Sequence, residues 1–300
     1  MNVENFQPLH LKLPATSANL GPGFDAVGLA LALYLTIDAV PSEEYRIEAT
    51  GRNADLCGDV ERSLILTTYR EILGVDALPL AMILHNEIPL GMGCGSSAAA
   101  LLVGVLLANH FGRLGWTGQQ ILEEACRREG HPDNVAACWF GGMTCSVIVD
   151  GSVITATCGL DLDWQVVVVL PATSLATSEA RALLPALYSR ADAVANIQST
   201  ALLVAAFSQG RGDLLQYAMR DSLHQPYRSA ACPLLPALLP LVAEPGVLGV
   251  ALSGAGPSVL ILMDRVSEVG SLLAMIQRLS GPERVEIVKT TISSGCNEKG

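Results

Sequence analysis

Lysine is almost missing from this chain. Three occur, Lys12, Lys289 and Lys299, so none lies between residues 13 and 288. An anion held by the middle of the protein must be neutralised by arginine, backbone N–H groups, a helix dipole or a metal ion. Positive charge is scarce throughout: 18 Lys and Arg stand against 29 Asp and Glu, a net charge of −11. That balance argues against nucleic acid and against an anionic membrane surface as partners. Long apolar runs are lacking too. The longest tracts, residues 26–37 and 98–108, are too short to span a bilayer. Eight cysteines include no CxxC pair and no zinc-ligand spacing, so they read as small buried hydrophobes in a reducing compartment. The first residues, Met1-Asn2-Val3-Glu4-Asn5, carry no positive charge and precede no apolar segment. A secretory signal is therefore not expected, and a cytoplasmic location is.

What the chain does have is glycine set between strands and helices. In Ile88-Pro89-Leu90-Gly91-Met92-Gly93-Cys94-Gly95-Ser96-Ser97-Ala98-Ala99-Ala100 a glycine-rich loop opens directly into a helical run. Glycines at alternate positions let another group approach the backbone closely. The helix behind them offers unpaired N–H groups and the positive end of its dipole, which suits an anion. Taken alone, the same stretch could be an ordinary loop capped by Ser96 or Ser97. It is not GxGxxG, and with no lysine after its last glycine it is not a Walker loop.

With 300 residues, 50% of them hydrophobic, the chain can build a large core, expected as two lobes sharing an interface. Residues 29–38 alternate with period two and predict a strand with one buried face. A turn at Pro41-Ser42-Glu43-Glu44 predicts that residues 45–49 pair back as a hairpin partner. Helices are expected over 60–73, 117–128, 134–139, 178–189, 191–209, 211–221 and 266–279. Further strands are expected over 80–86, 143–149, 152–157, 166–170, 247–252, 259–263 and 285–290. Helices and strands mix without strict alternation, so the class is α+β.

Two more loops are built from turn formers. Pro14-Ala15-Thr16-Ser17-Ala18-Asn19-Leu20-Gly21-Pro22-Gly23-Phe24-Asp25 lies early, and Ser253-Gly254-Ala255-Gly256-Pro257-Ser258 sits between two apolar strands. Each could be a turn and nothing more. Together with the first loop, and with Glu129-Gly130-His131-Pro132-Asp133-Asn134, they resemble the GHMP kinase superfamily, and within it the homoserine kinases. The resemblance runs from about Leu11 to Thr291.

It implies a two-domain GHMP kinase fold: an N-terminal α+β domain with a left-handed βαβ crossover over residues 1–162, and a C-terminal ferredoxin-like domain over 163–300. It implies ATP-dependent phosphorylation of L-homoserine to O-phospho-L-homoserine in threonine biosynthesis, and a homodimer. Pro89 to Ala99 then correspond to the ATP phosphate loop, with Met92 and Cys94 where arginine-like and leucine residues are common. Mg2+ is implied between the hydroxyl of Ser97 and an acid of the following helix. Helical spacing does not separate Glu123 from Glu124; the resemblance, which puts the acid eight residues before the histidine, selects Glu123. Asn19, Asp25, His131, Asn134, Thr177, Arg181, Arg228 and Gly254 correspond to the acceptor site. There the two arginines would grip its carboxylate, Asp25 its ammonium, and Asn134 would orient its hydroxyl. Thr16 stands where other superfamily members place a lysine, and no residue stands out as a general base. Another GHMP small-molecule kinase and a catalytically dead ligand-sensing paralogue remain as alternatives.

Overall fold

The structure, a computed structural model, describes residues 6–281 and 284–299. The signal-free reading of Met1-Asn2-Val3-Glu4-Asn5 lies outside these residues. Among the described residues two sheets form, one of seven strands and one of four.

The first sheet is organised by β2 (Gly23–Pro41), which pairs antiparallel with β1 (Leu9–Asn19) along most of its length. The predicted alternation holds in part: Leu29, Leu31, Leu35 and Ile37 are buried and Asp38 is exposed, but Ala30 is buried too, where α5 packs on the other face. Leu33 departs from it, because the register with β1 slips between Pro14 and Ala15, where β2 bulges. Such a bulge bends a strand, and β2 uses the bend to serve two wings. Its first half pairs with β5 (Met143–Val149), which continues to β6 (Ser152–Cys158). Its second half pairs with β4 (Leu80–Asn86).

The expected hairpin over residues 45–49 does not form. β3 (Arg46–Gly51) is a strand, but it pairs parallel with β4, at the edge of the sheet. The turn at 41–44 fixes a reversal, not a neighbour. With β4 occupying the edge of β2, β3 is joined to β4 through α1 (Ala54–Cys57) and α2 (Leu64–Leu73), as a parallel pair requires. The stretch from Pro14 to Asp25 is likewise not one long loop. β1 runs to Asn19, β2 starts at Gly23, and Asn19, Leu20 and Asp25 all have positive φ around that tight turn.

Behind this sheet lie α3 (Ser96–Phe111), α4 (Gly118–Glu129) and α5 (Asp133–Phe140). α3 packs on α2, α4 and β1 and is buried nearly all round, which is why its sequence shows no polar stripe. α4 begins in a capping box between Thr117 and Gln120 and stops at Gly130, φ 89°.

The second sheet contains β7 (Gln165–Leu170), β8 (Val247–Leu252), β9 (Val259–Met263) and β10 (Glu286–Thr291) in the antiparallel order β10-β7-β9-β8. In chain order that is fourth, first, third, second, the ferredoxin-like arrangement. β7 is central, and its run of valines is buried accordingly. Between β7 and β8 come α6 (Thr177–Ala182), α7 (Arg190–Gln209), α8 (Leu215–Ala218), α9 (Gln225–Arg228) and α10 (Leu234–Leu238). α11 (Val269–Leu279) links β9 to β10. The helix expected over 178–189 ends early because Pro185 cannot continue it, and the one over 211–221 breaks into a 3-10 turn and α8. Finally β11 (Asn297–Lys299) returns to the first sheet and pairs with β1.

Candidate active site

The three loops meet. The N–H of Thr16 donates to Cys94 O at 3.0 Å, and the N–H of Gly254 donates to Ala18 O at 3.1 Å. Ser253 Oγ donates to Gly93 O at 2.7 Å, and Asn19 Nδ2 to Gly254 O at 2.9 Å. This explains two of the glycines. Gly93 and Gly95 have φ of 70° and 69°, and a Cβ on either would collide with Ser253 O or Thr16 Oγ1. At these positions the approaching group is the protein's own neighbouring loop.

Gly95 is the N-cap of α3, and no side chain caps the helix. Ser96 and Ser97 are its first two helical residues, not its cap. The first-turn N–H groups are thus left for an acceptor from outside the helix. They open on a cleft of about 680 Å³ lined by residues of all three loops and of α4, α5, α6 and α9.

One side of the cleft is basic. Arg228 is 1% exposed; its Nε donates to Ala180 O at 3.2 Å and its Nη1 to Gly254 O at 3.5 Å. Burial, and then the charge of Arg181, hold its pKa below the ordinary arginine value. Arg181 donates to both oxygens of Asp25, at 3.0 and 2.6 Å. Both guanidinium carbons sit 5.4 Å from the centre of the Phe24 ring. Its π face stabilises two cations that would otherwise repel.

The opposite side is acidic. His131 Nδ1 lies 2.6 Å from Asp133 Oδ1. Burial disfavours its charged form, but that hydrogen bond and the charges of Asp133, Glu129 and Asp25 outweigh it and raise the pKa. Asn134 Oδ1 accepts from Thr16 Oγ1 at 2.7 Å. Asn19, Asp25, His131, Asn134, Thr177, Arg181, Arg228 and Gly254 all line this one cleft.

Glu123 does not. Its Oε1 accepts from Gln119 Nε2 at 2.7 Å, away from the cleft. The acid beside Ser97 is Glu129, whose Oε2 accepts from Ser97 Oγ at 2.8 Å. Six residues separate the two acids on α4, roughly 240° around its axis, so only one can face α3. Burial pushes the Glu129 carboxyl up, opposed by the Ser97 hydrogen bond and the charge of His131. The signal for Glu129 was present, as the residue that opens the Glu-Gly-His-Pro-Asp-Asn run.

The loop from Pro89 to Ala99 divides. Gly91, Gly93, Cys94, Gly95, Ser96 and Ser97 line the cleft, whereas Pro89 and Met92 face a separate hollow beside Arg52, and Ala98 and Ala99 are buried beneath. Burial pushes the Cys94 thiol up to about 12, so it is not a nucleophile.

Two family descriptions match the chain: "GHMP kinases N terminal domain" over residues 62–142 and "GHMP kinases C terminal" over residues 203–279. Homoserine kinase of Solibacter usitatus is 47% identical over 277 residues, covering 91% of this chain and 91% of its own. Homoserine kinase of Desulfitobacterium hafniense is 38% identical over 91% of this chain and 93% of its own. The chain belongs to the homoserine kinase family of GHMP kinases. A solved structure described as a putative homoserine kinase from Listeria monocytogenes superposes with TM-score 0.79 at 29% identity, covering 97% of this chain and 99% of that one. A phosphomevalonate kinase of Streptococcus pneumoniae shares the fold, with TM-score 0.67 at 14% identity over 95% of this chain and 99% of that one.

For a GHMP kinase one further feature stands out, which no motif announced. A second cavity of about 960 Å³ shares Gly91, Ser96 and Ser97 with the cleft and is otherwise lined mainly by Leu56, Cys57, Leu64, Ile65, Leu84, Ile88 and Leu90. These residues come from α1, α2, β4 and the loop. The phosphate loop is thus flanked by a polar cleft on one side and an apolar cavity on the other.

Proposed function

We propose that the protein transfers the γ-phosphoryl group of ATP to the hydroxyl of L-homoserine, releasing ADP and O-phospho-L-homoserine. One observation carries this reading: the cleft at the uncapped start of α3 holds a carboxylate, Asp25, facing two arginines, Arg181 and Arg228, the charge pattern complementary to an α-amino acid. The arginines take the acceptor's carboxylate and Asp25, oriented through Asn19, its ammonium. Asn134, held by Thr16, orients the hydroxyl, whose proton leaves to phosphate or solvent as the O–P bond forms and the bond to ADP breaks. The base of ATP takes the apolar cavity and its phosphates cross Gly91 to Ser97, gripped by backbone N–H groups.

A hydroxyl and a carboxylate side by side, Ser97 and Glu129, form a hard-oxygen donor set that fits Mg2+. Glu129 replaces Glu123 in that role. When bound, the cation neutralises charge on the phosphates. We also propose that residues 1–162 and 163–300 are the two units, since β7 begins the second sheet, and that the chain is a cytoplasmic homodimer by analogy with its family. Among the described residues no helix is long and apolar enough to cross a membrane.

The test is an ADP-coupled assay with ATP, Mg2+ and, in turn, homoserine, mevalonate and galactose. Turnover is expected with homoserine. Turnover with mevalonate or galactose and none with homoserine would move the protein to another branch, and none with any of them would support a ligand-sensing role.

A further inference from the structure

Behind Arg228 lies a buried histidine that the reading above does not use. His224 precedes α9, and its side chain and that of Asp221 are both fully buried. Its ring touches two segments that build the cleft. Nε2 is 2.7 Å from Gly21 O in the β1–β2 turn, and Nδ1 is 3.1 Å from Arg228 Nη1. The Phe24 ring lies alongside, 5.4 Å between centroids.

These contacts determine where the proton sits. A guanidinium has donors only, so Nδ1 must accept and is bare. A carbonyl oxygen accepts only, so Nε2 carries the hydrogen. The imidazole is therefore neutral and of one tautomer. Asp221 Oδ2, 3.5 Å from Nε2, favours the charged ring. Both lone pairs of Oδ2, however, are occupied: it accepts from the N–H of His224 at 3.0 Å and of Gln225 at 2.6 Å, while Oδ1 accepts from that of Leu223 at 2.9 Å. Burial holds the ring's pKa below the usual histidine value; Asp221 opposes this and the Arg228 charge reinforces it.

We propose that His224 is a positioning residue for recognition of the acceptor's carboxylate: as a neutral Nε2–H imidazole it locks the Arg228 guanidinium so that one edge stays turned to the cleft. This rests on the reading that Arg228 grips that carboxylate. The lock is needed because Arg228 sits on a helix of four residues, too short to be rigid by itself. Without an acceptor at Nδ1, the Nη1 donor would be buried against only the 3.5 Å contact to Gly254 O, and the guanidinium would turn to find another. Charging His224 would place an N–H and a positive charge against Nη1. The titratable groups facing it are Asp221 and Arg228 from its own segment and Asp25 from β2. Acceptor binding should therefore weaken on the acid side of the histidine range, where His224 takes up a proton.

The experiment compares His224→Gln, His224→Asn and Arg228→Ala in the intact enzyme, with thermal unfolding measured alongside. Glutamine keeps a donor near Gly21 and loses the acceptor at Nδ1; asparagine keeps the acceptor and loses the donor. His224→Gln is expected to raise KM for homoserine about tenfold, with kcat and the KM for ATP little changed. His224→Asn should stay within about threefold on that KM, although its unfolding midpoint falls. Equal KM values in the two variants, tracking their unfolding midpoints, would reduce His224 to packing and overturn the proposal. An Arg228→Ala enzyme with unchanged KM for homoserine would instead overturn the carboxylate reading itself. Should the histidine variants not fold, 15N imidazole spectra of the wild type decide. A neutral Nε2–H ring that survives below the usual histidine pKa supports the proposal, and an imidazolium or an Nδ1–H tautomer at neutral pH refutes it.

Discussion

Ser97 and Glu129 share one hydrogen bond across 32 positions of sequence. Replacing Glu129 by alanine removes the carboxylate proposed to hold the cation and is expected to lower turnover by roughly 10²-fold or more. Glu123→Ala should remain close to wild type in the same ADP-coupled assay; the reverse order would return the metal site to Glu123. A second expectation follows from the Asp25–Arg181 ion pair. The two groups proposed to bind the acceptor's opposite charges neutralise each other in the structure, so a zwitterion exchanges one pair for two. An analogue lacking the ammonium separates Asp25 from its arginine without replacing it. 4-Hydroxybutyrate should therefore bind at least about 100-fold more weakly than homoserine, beyond the loss of one surface ion pair. Titration calorimetry giving similar affinities would show that the pair does not open. At this scale the sequence was legible wherever residue type decided chemistry: Asn19, Asp25, Arg181 and Arg228 do converge. Orientation was not legible: Glu123, selected over Glu124, lies outside the cleft that Glu129 lines, because packing decides which face of α4 looks at α3. Phe24 and His224 act through packing and tautomer, which no spacing records.

Among elements, α4 shows how an acid can be structural. Glu124 accepts from Arg127 and Arg128, and Arg128 also reaches Glu71 on α2. Glu124 and Arg128 are 18% and 13% exposed, enough burial for the network to matter. Glu124→Ala should cost about 1–2 kcal/mol of stability, measured by denaturant unfolding, with activity kept. A loss of activity at unchanged stability would give Glu124 a role in the cleft. Strands β4, β5, β8 and β9 were legible almost to the residue, since apolar runs between turn formers admit few other structures. The partner of β3 was not. A turn of four residues says that the chain reverses, while the parallel partner is set by the crossover through α1 and α2, with α2 packed on α3. α6 stops at Ala182, short of the helix expected over 178–189, because Pro185 cannot continue it.

In the whole molecule, Arg52 beside β3 forms a two-pronged ion pair with Glu286 on β10, joining the two sheets on the side of the phosphate loop away from the cleft. The arginine's hydrogen bond, more than burial opposes it, holds the Glu286 pKa below the ordinary glutamate value. A carboxyl lowered on folding stabilises the protein above its unfolded pKa, and that contribution is lost as pH falls through the folded value. Glu286→Gln should therefore cost about 1 kcal/mol or less near neutrality, because the pair is partly exposed and screened. The difference from wild type should vanish below the glutamate range and shrink in high salt, as read by urea unfolding; a cost that persists in acid would point to packing.

The return of β11 bears on motion as well as on folding. The chain passes from the first sheet to the second over residues 159–164 and comes back just after β10, where Ile292 already bridges to Leu31. A body tethered at one point can swing in any direction. Tethered at two, it can only rock about the line between the tethers. The two crossings leave the ferredoxin-like sheet one axis to rock about, and the Arg52–Glu286 pair and the bonds between the loops hold that rotation closed. For Gly254 to ride with β8 and β9 over Gly91 to Ser97, its bonds to Ala18 and Asn19 and that of Ser253 to Gly93 must first part.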